Sequence, residues 1–309
     1  MQTIKLSKRQ EFIRELFLKA RKLNYAFLKY FYPTQYHIPA KSDLDLVVDK
    51  KELSQWKNLI RDGLHVKKVS FKEKSFALYA EVFFENGDFL EIDLIHACKW
   101  KFHVFLPAKE ILESQKLNLE GIKIASLEHS FAYLCLFYTL NNCKIPQKYQ
   151  EFYAELEAEK QQEIRHYLAQ KYQIKRLGED VFDLLPFRNH LIRRIQRFSE
   201  NQGISGLGMK LMSFRDRLRA SGITITFSGV DGAGKSTILE ETRQMLTKKY
   251  RKEVILLRQR PSILPILSAY RYGKKAAEQR AANTLPRQGN NKSKISSLIR
   301  FIYYYTDYV

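Results

Sequence analysis

The sequence predicts an α/β protein in two parts: an N-terminal α+β domain with a helical subdomain, and a C-terminal parallel α/β domain. Three observations support this prediction. Apolar, β-branched runs lie between positions 44 and 95, helical spacing dominates from 126 to 196, and a strand-like segment leads into a glycine-rich run at 229–237. At 309 residues, 45% of them hydrophobic, the chain is long enough for two hydrophobic cores. We predict the boundaries as follows: 1–115 for the α+β domain, 116–200 for the helical subdomain, 201–220 for a basic linker and 221–309 for the C-terminal domain.

In the N-terminal domain, apolar residues recur at helical spacing from Lys8 to Tyr32. This spacing predicts an amphipathic helix that leads into a short strand and ends at Pro33. Apolar and β-branched segments predict strands at Leu44–Val48, Phe76–Phe84 and Phe89–Ile95. The last two strands are separated by Glu85-Asn86-Gly87-Asp88, a hairpin-turn sequence.

Helical patterns follow the predicted sheet. Ser126, with Glu128 and His129 after it, begins an apolar-rich helix, and charged residues at helical spacing continue to about Gln196. Glycines at 203, 206, 208 and 222 then surround the basic stretch Lys210–Arg219. This composition predicts a linker with a short helix before the second domain.

The compartment is predicted from what the sequence lacks. The N-terminus runs into charged residues without the apolar stretch of a secretory signal, and no segment approaches the roughly 20 apolar residues of a membrane span. The cysteines, Cys98, Cys135 and Cys143, have no CxxC spacing, so we expect buried thiols and neither a zinc site nor a disulfide framework. These features favour a cytoplasmic protein.

The formal net charge of +20 is concentrated near the C-terminus. Residues 201–309 contain 20 Lys and Arg against 7 Asp and Glu. A polyphosphate ligand would account for this excess of positive charge. A nucleic acid is possible but not favoured, because the basic residues are not interleaved with a recognisable nucleic-acid reader motif.

The most specific motif lies at 229–237. The β-branched segment Gly222–Ser228 runs directly into Gly229-Val230-Asp231-Gly232-Ala233-Gly234-Lys235-Ser236-Thr237, which matches GxxxxGK followed by Ser or Thr. Such a P-loop folds its backbone N–H groups around phosphate oxygens, and the glycines at 232 and 234 permit that conformation. We therefore expect Gly229, Gly232, Ala233, Gly234, Lys235, Ser236 and Thr237 to bind ATP.

Within this motif, Lys235 is expected to reach the β- and γ-phosphates, and the Ser236 hydroxyl is expected to bind Mg²⁺. A helix starting there and running to about Lys249 would add its N-terminal dipole to the anion site. The alternative is an ordinary glycine-rich turn.

Residues 227–237 resemble the P-loop of thymidylate kinases, which carry an Asp two positions after the first glycine, here Asp231. The resemblance implies that Asp231 lies near the acceptor nucleotide and the magnesium shell, although a turn-capping Asp is the alternative. The predicted strand Glu253–Leu257 leads to Arg258 and Arg260, where that family binds the acceptor phosphate. The double glycine and the Glu of the family's segment are absent, and solvated surface arginines remain the alternative.

Thymidylate kinases continue with an acidic strand, further parallel strands and an arginine-rich lid. The sequence ends at Val309, after the tyrosine-rich segment Ile302–Tyr308, without these elements. We therefore expect a chain that is incomplete as a kinase: a fragment, a truncated product or half of a split protein.

A second candidate site lies near position 43. Asp43 and Asp45 share one face of the predicted strand Leu44–Val48, because side chains two apart point the same way. Neighbouring carboxylates repel each other unless a cation lies between them, and Mg²⁺ is a common solution. Asp93, flanked by strand-forming residues, would supply the third carboxylate. A solvated strand face is the alternative.

This Asp-Leu-Asp, with a distant Ile-Asp-Leu, resembles the nucleotidyltransferase superfamily over residues 24–96. The resemblance implies that Asp43, Asp45 and Asp93 form a metal triad. The Gly-Ser pair that holds the triphosphate in that superfamily is absent between Tyr25 and Pro39.

The order of the two domains along the chain resembles that of a group of bacterial two-domain proteins, which are often encoded with surface polysaccharide genes. Arg260-Pro261 with Leu264-Pro265, and the Tyr-rich segment near the C-terminus, carry this likeness. Three functions follow as hypotheses: an ATP-dependent phosphotransferase of nucleotide-kinase type, a regulatory protein that binds ATP without turning it over, and a metal-dependent nucleotidyltransferase. The expected partners are a nucleoside triphosphate and a phosphorylated or nucleotide acceptor.

Overall fold

The computed structural model describes residues 6–40, 42–218, 225–228, 233–249 and 254–255. The chain divides into two compact units, Met1–Ser228 and Gly229–Val309. The described residues form a mixed α/β structure.

The first unit combines one large sheet with helices on both of its faces. Its helices are α1 (Lys8–Lys19), α2 (Leu53–Arg61), α3 (Ala108–Glu113), α4 (Leu127–Leu140), α5 (Gln147–Ala154), α6 (Ala158–Tyr172), α7 (Arg188–Gln196) and α8 (Gly203–Leu218). Its strands are β1 (Tyr25–Phe27), β2 (Leu44–Val48), β3 (Val66–Glu73), β4 (Ala77–Phe84), β5 (Phe89–Ile95), β6 (Cys98–Trp100), β7 (His103–Leu106), β8 (Lys116–Leu117) and β9 (Lys123–Ile124).

Seven strands form a mixed sheet in the order β3-β4-β5-β2-β1-β9-β8. β2 runs parallel to β5 and antiparallel to β1, whereas β1 pairs with β9 in parallel. β6 and β7 form a separate antiparallel hairpin. The order brings β2 and β5 together although residues 49–88 separate them in the sequence.

The sheet is covered on both faces because its strands alternate. Leu44 and Leu46 of β2 are fully buried and belong to the same core cluster as Phe12 of α1 and Trp56 of α2. On the opposite face, Val47 packs into the core of the helical layer. α4 is the central helix of that layer, and the Ser126 hydroxyl caps it by accepting from the His129 backbone N–H.

Several predicted elements are confirmed. Leu44–Val48 and Phe89–Ile95 are strands with the predicted bounds, and the predicted strand at 76–84 begins one residue later. Gly87 adopts a φ of 81° in the predicted hairpin turn, a conformation that glycine accepts without steric cost. The helix from Ser126 is also present.

The prediction for Lys8 to Tyr32, a helix that leads into a short strand, is confirmed. α1 ends at Lys19, and Tyr25–Phe27 form β1 against β2. All three residues of β1 are buried. β1 therefore lies inside the sheet, between β2 and β9.

The predicted linker is largely a helix. α8 is 16 residues long and is bonded to the rest of the first unit. The Ser75 N–H donates to Asp216 Oδ2 at 2.8 Å, and Lys99 Nζ donates to Ser213 Oγ at 2.8 Å. Each glycine costs a helix about 1 kcal/mol relative to alanine, and these tertiary bonds offset part of that cost.

The described part of the C-terminal region contains α9 (Lys235–Gln244), continued by a π-helical turn at Met245–Lys249. This agrees with the predicted helix. Residues 225–228 and 254–255, which fall within the two predicted strands at 222–228 and 253–257, are not in strands. The other residues of those predicted strands lie outside the described residues.

None of the helices in the described ranges combines the length and the apolar character needed to cross a bilayer.

Candidate functional site

The three predicted carboxylates of the first unit lie at one end of the β2–β5 pair. The parallel register sets Asp45 directly opposite Asp93, and Asp43 precedes β2 by one residue. All three are partly exposed, whereas Leu44 between the first two is fully buried on the opposite face. We call Asp43, Asp45 and Asp93 the acidic row.

The register extends this polar surface across a third strand. Tyr79 of β4 lies opposite Asp93, and Glu81 lies opposite Glu91 one step further along the same face. Val47 lies on the same face of β2 as Asp45, two residues towards the end of the strand, and it belongs to the core of the helical layer. The acidic row therefore lies where the helical layer stops covering the sheet.

A lysine is paired with this row. Lys29 follows β1 by two residues, and its Nζ lies 2.5 Å from Asp45 Oδ2. The exposed fractions of the two side chains are 19% and 15%. The Leu28 N–H donates to the Asp45 carbonyl at 2.8 Å, so the β1–β2 pairing brings the two side chains to the same place.

The charge state of Lys29 follows from two opposing effects. Burial alone would lower its pKa, but the Asp45 carboxylate, together with nearby tyrosines, raises the pKa above the ordinary value for lysine. Lys29 therefore carries a full positive charge at neutral pH. Burial also raises the pKa of the neighbouring Tyr149 to about 12, with Lys29 opposing the rise and Asp45 adding to it.

The loop between Lys29 and Asp43 is fixed by hydrogen bonds from both ends. The buried Arg9 of α1 donates through Nη2 to the Ser42 carbonyl at 2.9 Å. The Glu120 carboxylate accepts from the Tyr30 hydroxyl at 2.9 Å and from the Gln35 N–H at 2.8 Å. These bonds tie the segment to α1 and to the turn between β8 and β9.

The acidic row does not fit a bound Mg²⁺ as it stands. Among the described residues, no group of three His, Cys, Asp or Glu side chains is arranged to hold a metal ion. One oxygen that such an ion would use, Asp45 Oδ2, is taken by the Lys29 ammonium. The metal role of Asp43, Asp45 and Asp93 remains a prediction.

The second half of the predicted P-loop is described. Gly234 has a φ of 73° and a ψ of 12°, and α9 begins at the next residue, Lys235. The Thr237 and Ile238 N–H groups both donate to the Gly234 carbonyl at 3.1 Å. A β-carbon at Gly234 would meet no atom within 4 Å, so the residue is needed for its backbone conformation and not for space.

Ser236 and Thr237 are exposed in the first turn of α9, and Ala233 is exposed before it. Gly229, Asp231 and Gly232 lie outside the described residues, as do Arg258 and Arg260. The structure therefore places Ala233, Gly234, Lys235, Ser236 and Thr237 along one turn and does not test the remaining predicted site residues.

Sequence reasoning missed Lys29 and the Glu81–Glu91 pair. Glu91 could have been found from strand alternation, since it lies two residues before Asp93. Lys29 carried no such signal, because its partner depends on the register of a three-residue strand.

Comparisons of this chain with known protein families, with curated proteins and with solved structures found no match.

Proposed function

We propose that this chain binds ATP and Mg²⁺ through residues 229–237 and acts as a phosphotransferase of nucleotide-kinase type. The observation that carries the proposal is the turn at Gly234, whose left-handed backbone leads directly into α9 at Lys235. The first N–H groups of a helix have no intrahelical acceptor, and the helix dipole is positive at that end, so the turn is suited to phosphate.

The roles follow from the motif. Lys235 neutralises the β- and γ-phosphates, the Ser236 hydroxyl binds Mg²⁺, and the backbone from Gly229 to Gly234 surrounds the phosphate oxygens. Asp231, Arg258 and Arg260 are assigned to the phosphorylated or nucleotide acceptor. This last assignment rests on the thymidylate-kinase resemblance alone.

Calorimetric titration with Mg²⁺-ATP tests the binding step. Lys235→Ala removes a charge-assisted hydrogen bond to phosphate, so we expect ATP affinity to fall about 10- to 100-fold. Lys109→Ala is the matched control, because Lys109 is a lysine of the first unit whose side chain is 83% exposed. Equal affinity in the two variants would contradict the P-loop assignment.

A second measurement separates phosphotransfer from regulation. We expect transfer of the γ-phosphate from ATP to at least one member of a panel of nucleoside monophosphates. ATP binding that depends on Lys235, with no transfer to any acceptor, would favour the regulatory alternative.

The architecture is part of the proposal. We assign a nucleotidyltransferase-like α+β fold with a helical subdomain to the first unit and a parallel P-loop fold to the C-terminal region. We also propose a cytoplasmic location. A nucleic acid is not favoured as a partner.

A metal-dependent nucleotidyltransferase is the second candidate. It is supported by the parallel register that sets Asp45 opposite Asp93. The ion pair between Lys29 and Asp45 counts against it. If Asn at all three positions of the acidic row left every nucleotidyl-transfer activity unchanged, this candidate would fail.

A further inference from the structure

Lys29 and Asp45 form an ion pair that the proposed P-loop function does not use. The pair lies in the first unit, at the sheet end where the helical layer stops. It is unlike a surface pair: the exposed fractions are 19% and 15%, compared with 83% and 65% for Lys109 and Glu113.

Such a pair has a specific requirement. A charged group that is largely removed from water must be matched by an opposite charge and by hydrogen bonds. Asp45 provides this match for Lys29, with Nζ to Oδ2 at 2.5 Å. The Lys29 Nζ also lies 5.7 Å from the centre of the Tyr133 ring, whose face attracts a cation.

The backbone holds Lys29 in this position. Its φ is 55°, a left-handed conformation that a residue with a β-carbon adopts infrequently. The Phe31 N–H donates to the Lys29 carbonyl at 3.0 Å and closes a tight turn directly after β1. Since the Leu28 N–H is bonded to the Asp45 carbonyl, the ammonium is aimed at Asp45 by strand pairing.

A divalent ion would compete with this arrangement. Mg²⁺ binds carboxylate oxygens in near-octahedral geometry and retains several waters. At Asp45 it would compete with the Lys29 ammonium for Oδ2, and binding at either carboxylate oxygen would place it close to a largely buried ammonium of like charge. The nucleotidyltransferase resemblance requires a metal at this point, and the residues present do not provide for one.

We infer that Lys29 is the resident cation of the acidic row and that it excludes a divalent metal from Asp45. The inference goes beyond the proposed function, because it concerns the first unit alone. ATP binding at 229–237 does not depend on it, so the two ideas can fail separately. In this chain the charge of Asp45 is neutralised by a lysine of the same unit.

Titration of the full chain with Mn²⁺ in the absence of nucleotide tests the inference. Binding is measured as the loss of the electron paramagnetic resonance signal of free Mn²⁺. We expect no Asp45-dependent binding in the wild-type chain or in Lys29→Arg at Mn²⁺ concentrations up to about 1 mM. That concentration corresponds to the dissociation constants of the weakest biological sites for divalent cations. Lys29→Met keeps the length of the side chain and removes its charge, so it should take up about one Mn²⁺, which the added Asp45→Asn change should abolish. Lys99→Met is the matched control: its part-buried ammonium donates to Ser75 and Ser213 hydroxyls, and its loss should create no Mn²⁺ site.

Two results would overturn the inference. One is Mn²⁺ binding by the wild-type chain that Asp45→Asn removes, which would support the nucleotidyltransferase candidate. The other is a folded Lys29→Met variant that binds no more Mn²⁺ than the wild type. If Lys29→Met does not fold, the wild-type and Asp45→Asn titrations still decide: equal binding supports the inference, and Asp45-dependent binding overturns it.

Discussion

The side chain of Asn201 is bonded to both backbone groups of Val104. Its Oδ1 accepts from the Val104 N–H at 2.8 Å, and its Nδ2 donates to the Val104 carbonyl at 2.8 Å. The same Nδ2 donates to the Ile195 carbonyl at 2.7 Å. Since Asn201 is only 8% exposed, it ties β7 to the end of α7 in a place that water scarcely reaches.

Asn201→Ala should therefore be strongly destabilising. It leaves the Val104 N–H and two carbonyls without these partners, and we expect the free energy of unfolding to fall by about 2–4 kcal/mol. Urea denaturation followed by far-ultraviolet circular dichroism measures this change. Gln202→Ala is the control, because the Gln202 side chain makes an exposed bond to the Arg197 carbonyl and its loss should cost under about 0.5 kcal/mol. Similar values for the two variants would contradict the role given to Asn201.

Two glycines of α8 should respond in opposite directions to alanine. A β-carbon on Gly206 would lie 2.2 Å from the Asn201 carbonyl oxygen, a backbone atom that cannot turn away, whereas one on Gly208 would meet nothing within 4 Å. We expect Gly206→Ala to destabilise the protein by about 1–3 kcal/mol. Gly208→Ala should stabilise it by about 0.5–1 kcal/mol, because alanine is the better helix former.

Thermal unfolding of these two variants beside the wild type provides the measurement. A shift to higher temperature for Gly206→Ala would show that α8 does not approach Asn201 as closely as described. A shift to lower temperature for Gly208→Ala would argue against a helix at that residue.

These residues also show what the sequence could and could not predict. Strands β2 and β5 were predictable because their alternation is local, and the same alternation placed Asp43 and Asp45 on one face. The glycines of 203–218 indicated a linker with only a short helix, and the 16-residue length of α8 was missed. That length depends on contacts that only the folded chain makes, such as that between Lys99 and Ser213. The Lys29–Asp45 pair depends on strand register, which no local pattern determines.

His96 should make the protein less stable in mild acid. Burial, followed by repulsion from Lys50, lowers its pKa from 6.5 to about 4, while Glu73 acts in the opposite direction. The unfolded chain therefore binds a proton on this side chain more readily than the folded one. The contribution of the neutral His96 side chain to the free energy of unfolding should be fully present above about pH 6.5 and should decline as the pH falls towards 4.

For a partly exposed imidazole, we expect His96 to account for about 1–2 kcal/mol of that loss. Urea midpoints measured across this pH range for the wild type and for His96→Asn provide the test. The variant should lose less stability than the wild type on acidification. Parallel curves for the two proteins would show that His96 is already protonated in the folded state at neutral pH, or that it is not desolvated.

The three cysteines should differ sharply in reactivity. Cys98 and Cys135 are 1% and 0% exposed, and burial raises the pKa of the Cys98 thiol to about 12 and that of Cys135 further. Cys143 is exposed, contrary to the expectation that all three thiols are buried. Because the thiolate is the reactive form and must be reached by the reagent, a maleimide should label Cys143 alone in the native protein. Mass spectrometry should then show one adduct before unfolding in urea and three afterwards, with none before unfolding in Cys143→Ser; native labelling at Cys98 or Cys135 would mean that the core beneath α4 opens on the timescale of the reaction.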